Sequence, residues 1–178
     1  MGRGRGWAVW ITGLPSAGKT TIARALWRRL KEMGVGVQVL ESDEVRRILT
    51  PRPTYREEER DAFYRALAYI GSLLVENGVN VIFDATANRR RYREEARRRI
   101  ERFLEVYVRC PLEVCIKRDV KGIYQKALKG EAKTVPGLQA PYEEPLNPEV
   151  TIDSTIETPE EAAQRIIEAL RERGFLEV

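Results

Sequence analysis

The sequence predicts an α/β fold, because short apolar runs alternate with longer stretches that have the periodicity of amphipathic helices. The apolar runs are residues 7–12, 35–40, 79–84, 103–110 and 149–154. Short apolar strands that alternate with helices indicate a parallel sheet with helices on both faces. Hydrophobic residues make up 43% of the 178 positions, which suits one domain with one sizeable core.

Start and stop signals delimit the helical stretches. Pro51 and Pro53 stop a short second helix, and Pro111 opens a later one. Thr158 caps the closing helix and Gly174 ends it. The expected helices are residues 19–33, 43–49, 57–76 and 88–100, one that begins at residue 111, and residues 158–174.

The string "GLPSAGKTT", residues 13–21, directly follows the first predicted strand and opens the first predicted helix. Its spacing, Gly-x-x-x-x-Gly-Lys-Thr, matches the phosphate-binding P-loop completely. Glycines let backbone N–H groups turn toward a β-phosphate, and the positive end of the helix dipole points at the anion. We expect Lys19 to reach the β/γ oxygens and the Thr20 hydroxyl to hold Mg²⁺. The predicted ATP-binding residues in this loop are Gly13, Leu14, Pro15, Ser16, Ala17, Gly18, Lys19, Thr20 and Thr21.

A P-loop alone fits a GTPase switch, an ATP-driven motor or a small-molecule kinase. The Asn-Lys-x-Asp string that reads guanine does not occur, and motors are normally larger. The stretch from about residue 118 to 148 has no clear strand and no strong periodicity, which is typical of a lid, although a plain surface loop is the alternative. Chain size and this candidate lid favour a kinase. For a single P-loop kinase domain we expect a five-stranded parallel sheet in the order 2-3-1-4-5.

Two carboxylates follow strands at the edge of the sheet where ligands bind in open α/β folds. Asp43 can orient or deprotonate an acceptor hydroxyl, or bind Mg²⁺, and it can equally cap the short helix. Arg46 lies one turn further on, placed to grip an acidic substrate. Asp84 can share the metal or base role, or pair with nearby arginines.

Composition excludes several classes of site. There is no His, so proton transfer must use a carboxylate, Lys or Tyr. Cys110 and Cys115 are too few for a structural zinc, and we interpret them as packing residues in a reducing cytoplasm. Residues 1–6 form a basic tail without a signal-peptide core, and no apolar run reaches transmembrane length.

The net charge is +4, and many of the arginines lie in residues 89–99. Such a run can bind RNA, but glutamates interleave with it and no aromatic platform accompanies it. Pairs at i and i+4 favour a solvated, ion-paired helix face, so we do not expect a nucleic-acid partner.

The segment "DVKGIYQKALKGEAKTVPGLQAPYEEPLNPE", with "PLEVCIKR" before it, resembles the lid and flank of adenylylsulfate (APS) kinases. That family shows D-x-K-G-L-Y-x-K-A and then G-F-T-G-I-D-x-P-Y-E-x-P, and the similarity extends from the P-loop to about residue 154. The resemblance implies transfer of the ATP γ-phosphate to the 3′-hydroxyl of APS, giving PAPS and ADP. It also implies Mg²⁺ as cofactor and a homodimer.

The resemblance places further functional residues by position. In the family's D-G-D-N-x-R motif, Asp43 and Arg46 are kept as catalytic residues beside Lys19. Tyr55 and Arg60 match the family's adenine-stacking aromatic and its substrate-binding arginine. The implied substrate-binding set is Asp43, Arg46, Tyr55, Arg60, Thr86, Ala87, Lys121 and Val135, the implied metal set is Thr20, Asp43 and Asp84, and Arg118 matches a position near the ATP adenine.

Three positions depart from the family pattern. Val135 replaces the lid Phe that completes the adenine sandwich, which weakens base binding by about 1–3 kcal/mol on the scale of base stacking. Phe63 replaces an expected Asn, and Ala87 replaces the Ser of the family's I-S-P stretch. Without that Ser a phosphoserine route is excluded and direct in-line transfer is favoured. A kinase for a nucleoside, sugar or nucleic-acid end, and a non-catalytic ATP sensor, stay open as alternatives.

Overall fold

The computed structural model describes residues 5–177 and confirms the predicted parallel sheet. All neighbouring strands in it are parallel, in the order β2-β3-β1-β4-β5, which is the predicted order. Strand ends differ from the apolar runs by one or two residues, because flanking side chains such as Trp7 are buried without belonging to a strand. The strands are β1 (Ala8–Thr12), β2 (Val37–Glu41), β3 (Asn80–Asp84), β4 (Phe103–Arg109) and β5 (Val150–Asp153).

The helices lie close to the predicted stretches, with one addition. The long helix has the predicted bounds, whereas α6 was not predicted. It is a six-residue helix in the candidate lid, and it forms because Tyr124 and Ala127, three positions apart, are both buried. The helices are α1 (Lys19–Glu32), α2 (Ser42–Leu49), α3 (Glu57–Glu76), α4 (Arg90–Arg99), α5 (Leu112–Arg118), α6 (Ile123–Leu128) and α7 (Pro159–Glu172).

Alternate residues of the central strand β1 point into two separate hydrophobic clusters. Val9 and Ile11 face the cluster under α1 and α7, whereas Ala8 and Trp10 face the cluster under α3 and α4. All four are fully buried. The sheet is therefore covered on both faces, as its apolar strands predict.

Helix α3 crosses β3 at very short range because position 71 is glycine. A Cβ atom on Gly71 would lie 2.1 Å from Cζ of Phe83, which real structures do not tolerate. The Phe83 ring is itself stacked on Trp10 with ring centroids 4.5 Å apart. This close approach fixes the distance between α3 and β3, and Asp84 is the last residue of β3.

The basic helix α4 is not the uniformly solvated face that the sequence suggested. Glu95 pairs with Arg98 and Arg99 as expected. Arg93, however, is only 1% exposed and points inward to Glu105 on β4. A regular charge pattern does not reveal which single arginine faces the sheet.

The start of the described chain is hydrogen-bonded to α3, and both cysteines are buried. Of the predicted basic tail, residues 1–4 lie outside the described residues, while Gly6 N–H donates to Val75 O at 2.9 Å. Cys110 and Cys115 are both free and buried, in agreement with a packing role. From residue 5 to residue 177, no helix is long and apolar enough to cross a membrane.

Candidate active site

The loop between β1 and α1 has the backbone that its sequence predicts. Gly18 immediately precedes α1 and has φ of +110°, a conformation that favours glycine. The Lys19 ammonium donates to the carbonyls of Gly13 at 3.0 Å and Leu14 at 2.8 Å, so it lies folded over the loop. Burial, partly offset by the charge of Asp84, lowers the pKa of Lys19 to about 8. A buried cation that bonds only to carbonyls is a strong site for phosphate oxygens.

The Thr20 hydroxyl donates to Oδ2 of Asp84 at 2.7 Å. The carboxylate at the end of β3 thus meets the first turn of α1. Within residues 5–177, none of the α4 arginines bonds to Asp84, so that alternative for Asp84 is wrong. A hydroxyl and a carboxylate are hard oxygen donors, and Mg²⁺ in nucleotide sites takes one or two carboxylates and completes its shell with phosphates and water. The donor set therefore fits Mg²⁺, and in the described part of the chain no cluster of three or more His, Cys, Asp or Glu offers a complete cage.

A cavity of about 580 Å³ opens above the loop, and we call it the phosphate-loop cavity. It is bounded by the loop, by the ends of β2 and β3, and by the start of the candidate lid. Most of the residues that line it are polar or charged, although apolar atoms also contribute to its wall. Its lining includes Pro15, Ser16, Gly18, Lys19, Thr20, Thr21, Glu41, Ser42, Asp43, Asp84, Thr86, Arg118, Lys121 and Ser154.

A second cavity of about 230 Å³ adjoins the first, and we call it the aromatic cavity. Pro15, Ser42, Asp43, Thr86 and Ile123 line both cavities, so the two meet at the end of β2. The other residues that line the aromatic cavity are Arg46, Tyr55, Arg60, Tyr64, Asn88, Lys126, Ala132, Thr134, Val135 and Pro136.

Arg46 is the charged residue at the back of the aromatic cavity. It is 7% exposed, and its Nη1 has no hydrogen-bond partner among residues 5–177. Its guanidinium instead stacks on Phe63, with Cζ 4.0 Å from the ring centroid, and also lies 5.2 Å from the Tyr55 ring. Phe63 thus contacts the arginine directly. A buried, unpaired cation is costly unless an anion comes to it.

Tyr55 and Arg60 form the outer wall of that cavity. Tyr55 is 39% exposed and lies between Arg46 and Arg60, whose Cζ is 5.8 Å from its ring. Arg60 donates to the Thr134 carbonyl at 2.7 Å, which ties α3 to the candidate lid. The exposed ring face of Tyr55 is a platform on which a planar group can stack.

The loop after β3 contributes its backbone more than its side chains. Thr86 lines both cavities, but Ala87 is fully buried and lines neither of them as far as the described residues go. The Ala87 N–H donates to the Tyr64 hydroxyl at 3.0 Å, which holds Ala87 at a φ of +45°. The expectation that Ala87 touches a substrate therefore finds no support in its position.

The non-glycine residues with positive φ among residues 5–177 are Ser16, Tyr55, Ala87 and Asp119, and all lie at or beside these cavities. Such conformations persist only where surrounding contacts hold them, and they cluster at functional sites. Asp119, for example, accepts from the N–H groups of Tyr124 and Gln125, both at 3.0 Å. The strain supports a functional assignment for this edge of the sheet.

Lys121 and Asp43 form a direct ion pair at the boundary of the two cavities. Burial alone would lower the pKa of Lys121, but the hydrogen bond and charge of Asp43 outweigh it and raise that pKa. Asp43 lies in the first turn of α2 and makes no cap hydrogen bond there, so the capping alternative is wrong. Arg118 lies on the opposite side and donates to the Ala17 carbonyl at 3.2 Å and the Ser154 carbonyl at 3.0 Å.

Several contributors were missed from the sequence. Tyr64 and Lys126 line the aromatic cavity, and Tyr124 donates to the Pro15 carbonyl at 2.8 Å. The spacing of Tyr124 and Ala127 is the signal that could have predicted α6 and the face it turns to the loop. Among the predicted loop residues, Gly13, Leu14 and Ala17 do not belong to the lining described above.

Comparison with known proteins places the chain in a family. A family model described as adenylylsulphate kinase matches residues 5–153. The chain belongs to the adenylylsulphate kinase family. A probable adenylyl-sulfate kinase of Pyrococcus abyssi is 45% identical over 171 residues, which cover 96% of this chain and 98% of the relative. An adenylyl-sulfate kinase of Rippkaea orientalis is 44% identical over 172 residues, with 97% and 95% covered.

A solved structure supports the same assignment. The APS kinase of Mycobacterium tuberculosis in complex with AMPPNP and APS superposes with a TM-score of 0.89 at 33% sequence identity. The match covers 94% of this chain and 98% of that one. The predicted fold class, a P-loop kinase fold, and the predicted family are therefore confirmed, and the protein is a kinase.

Proposed function

We propose that this chain transfers the γ-phosphate of ATP to the 3′-hydroxyl of APS, forming PAPS and ADP. The observation that carries the proposal is the junction of the two cavities at Asp43. A phosphate-binding loop lies on one side, and a buried, unpaired arginine beside an exposed aromatic face lies on the other. Family membership supports APS as the acceptor.

The phosphate-loop cavity takes the donor. Lys19 exchanges its carbonyl partners for phosphate oxygens and stabilises charge on the transferring group. Arg118 lies on the side of the cavity away from the acceptor, where the adenine of ATP is expected. Thr20 and Asp84 would hold Mg²⁺, which when bound neutralises charge on the β- and γ-phosphate oxygens.

The aromatic cavity takes the acceptor. Arg46, with Arg60 beside it, binds the anionic end of APS, and Tyr55 stacks on its base. Asp43 orients the 3′-hydroxyl and accepts its proton as the oxygen forms a bond to the γ-phosphorus. The bond from that phosphorus to the β–γ bridging oxygen breaks, and ADP leaves. Lys121, which pairs with Asp43 here, can contact the transferred group and stabilise the negative charge that develops on it.

The segment from 118 to 148 acts as the lid in this proposal. It carries Lys121 to the junction of the cavities and Lys126, Thr134 and Val135 to the wall of the aromatic cavity. Closure over both substrates excludes water and limits wasteful hydrolysis. A homodimer and a cytoplasmic location stay predictions of the sequence and the resemblance.

Coupled ADP release tests the function. APS should raise ADP release strongly above basal hydrolysis, whereas nucleosides, sugars and a 5′-hydroxyl oligonucleotide should not. If another acceptor stimulates and APS does not, the substrate assignment is wrong. Tight ATP binding with no turnover of any acceptor would instead support a sensor. Lys19→Ala should abolish ADP release while the far-UV circular dichroism stays unchanged.

A further inference from the structure

Arg93 is a fully buried arginine that the proposed reaction does not use. It projects from α4 onto β1 and β4 and is 1% exposed. Its Nε lies 3.3 Å from a carboxylate oxygen of Glu105. Its Nη1 lies 3.1 Å from the Thr12 hydroxyl oxygen and 3.4 Å from the Tyr142 hydroxyl, and its Nη2 donates to the Glu143 carbonyl. One guanidinium thus joins two sheet residues to two residues near the end of the lid segment.

Thr12 is the centre of this cluster and the last residue before the phosphate loop. Its hydroxyl has one proton, which it donates to the Thr86 carbonyl at 2.5 Å. The same oxygen therefore accepts from Arg93 and from Tyr142, whose hydroxyl is 2.9 Å away. Burial of Tyr142 raises its pKa to about 12, so the hydroxyl keeps its proton throughout the neutral range.

The C-terminal end of the lid segment, residues 141–143, is held by the loop after β3 and the start of α4. Asn88 donates to the Pro141 carbonyl at 2.9 Å, and the Glu143 N–H donates to the Asn88 carbonyl at 2.8 Å. The Arg90 N–H at the start of α4 binds the Glu143 carboxylate at 3.0 Å. Residues 141–143 are therefore held between the loop after β3 and Arg93.

The N-terminal end of the lid segment, residues 120–124, is bound to the phosphate loop itself. Tyr124 is fully buried and donates to the Pro15 carbonyl, and the Val120 N–H donates to the Ser16 hydroxyl at 3.1 Å. Both ends of the segment thus bind the phosphate loop or the residue before it. The stretch between them carries Thr134 and Val135 across the aromatic cavity.

We propose that Arg93 and Tyr142 are positioning residues for phosphoryl transfer. Through Thr12 they hold the C-terminal end of the lid segment, residues 141–143, against the phosphate loop. The lid can then close over the acceptor in only one position relative to that loop. This inference rests on the kinase activity proposed above. Neither residue touches a reacting atom in it, and neither lines the cavities described above.

Tyr142→Phe tests the proposal with the smallest change, because it removes only the hydroxyl. We expect the KM for APS to rise roughly threefold to tenfold, and the share of ATP hydrolysed without PAPS formation to rise at least about threefold. Tyr107→Phe is the matched control. Tyr107 is paired with Thr12 across the sheet and stacks on Tyr142 at 6.2 Å, but its hydroxyl lies near the Glu144 carboxylate. The control should leave both quantities unchanged.

A second pair separates positioning from stability. Arg93→Lys and Arg97→Lys each weaken a contact with Glu105 and should each lower the melting temperature. Only Arg93 reaches Thr12, Tyr142 and Glu143, so only Arg93→Lys should raise the KM for APS and the uncoupled share. If all these variants change only the melting temperature or the active fraction, the role is structural and the proposal is overturned.

Hydrogen exchange of residues 129–148 in the nucleotide-free protein tests positioning without any acceptor. Tyr142→Phe should exchange faster there than wild type and Tyr107→Phe should not. Unchanged exchange in Tyr142→Phe overturns the positioning role, whatever the acceptor is. Failure of wild type to turn over APS, with faster exchange in Tyr142→Phe, overturns the assigned acceptor and leaves the positioning role supported.

Discussion

The Lys121 ammonium contacts the Asp43 carboxylate, so the lid segment and the first turn of α2 are joined at the boundary of the two cavities. Their side chains are 50% and 41% exposed, which makes the pair a weak contributor to the free energy of unfolding. In the proposed reaction the pair lies between the donor and acceptor cavities, so we expect its loss to impair transfer. Stability and activity should therefore respond very differently to its removal.

Asp43→Asn should lower kcat with APS by about 10²–10⁴-fold, because the amide cannot accept the hydroxyl proton. The free energy of unfolding should change by less than about 1 kcal/mol, as expected for an exposed pair. Coupled ADP release and urea unfolding measure the two effects. Glu44→Gln, the exposed carboxylate next in sequence, is the control and should retain full activity. A retained kcat in Asp43→Asn would remove Asp43 from the mechanism.

Arg46→Met should raise the KM for APS at least about tenfold without lowering the melting temperature. Loss of a charged hydrogen bond to a bound anion weakens binding by about 2 kcal/mol or more. The unliganded protein should gain stability, because a buried guanidinium whose Nη1 has no partner within residues 5–177 is replaced by an apolar side chain. Kinetics with varied APS and a thermal melt give both numbers.

Arg47→Met is the matched control for that change, since Arg47 is the exposed neighbour on α2. It should leave the KM for APS unchanged. An unchanged KM in Arg46→Met would mean that another group binds the anionic end of the acceptor.

The strands and the phosphate loop could be predicted because both are encoded locally. Each strand is a short apolar run, and the loop residues from Gly13 to Thr21 are contiguous in the sequence. The residues around Asp43, Arg46 and Asp84 could also be placed near one another, because carboxyl ends of neighbouring parallel strands share one edge.

Contacts between distant segments could not be predicted in the same way. The inward turn of Arg93 depends on which face of α4 meets β4, and most other residues of α4 are also arginines. The burial of Ala87 depends on a bond from its N–H to Tyr64, 23 residues away in sequence. These properties arise only when the helices pack on the sheet.

Asp84→Asn should raise the Mg²⁺ concentration needed for half-maximal transfer at least about tenfold. The amide loses the negative charge that a hard cation prefers, while it can still accept from the Thr20 hydroxyl. Titration of Mg²⁺ at saturating ATP and APS gives the value. Asp153→Asn is the control, because Asp153 ends β5 as Asp84 ends β3 and pairs with Arg109. Equal Mg²⁺ requirements in wild type and Asp84→Asn would place the metal elsewhere.

Glu149 should make part of the folding stability depend on acid pH. Its burial works against ionisation, but hydrogen bonds from Arg97 and the Glu105 N–H outweigh burial and lower its pKa below its ordinary value of 4.5. The unfolded chain then binds more protons, so this stabilisation is complete above pH 4.5 and is lost as pH falls through the lower, folded-state pKa. Glu149→Gln should flatten the fall in the free energy of unfolding between about pH 5 and 3.

The pKa of Glu105 shifts in the opposite direction, so Glu105 serves as the comparison. Burial, only partly offset by Arg93 and Arg97, raises the pKa of Glu105, so the folded state binds more protons and acidification favours folding at this site. Glu105→Gln should therefore steepen the fall that Glu149→Gln flattens. Urea unfolding at a series of pH values measures both slopes. Equal slopes in the two variants would contradict the assignment.

Gly71→Ala should lower the free energy of unfolding by about 1–2 kcal/mol, although alanine is the better helix former by about 1 kcal/mol. The added Cβ would lie 2.1 Å from the Phe83 ring, and the stack of that ring on Trp10 prevents it from moving aside. Helix α3 must then shift away from β3.

Gly36→Ala is the control for this change, because a Cβ there meets no described atom within 4 Å. Urea unfolding of both variants should show a loss only for Gly71→Ala. Phe83 directly precedes Asp84, so a shift of β3 also moves the carboxylate that accepts from Thr20. A rise in the Mg²⁺ requirement of Gly71→Ala, together with its lost stability, would show that the packing of α3 sets the position of the carboxylate proposed to bind Mg²⁺. A stability loss with an unchanged Mg²⁺ requirement would show that the strand end adjusts independently of the helix.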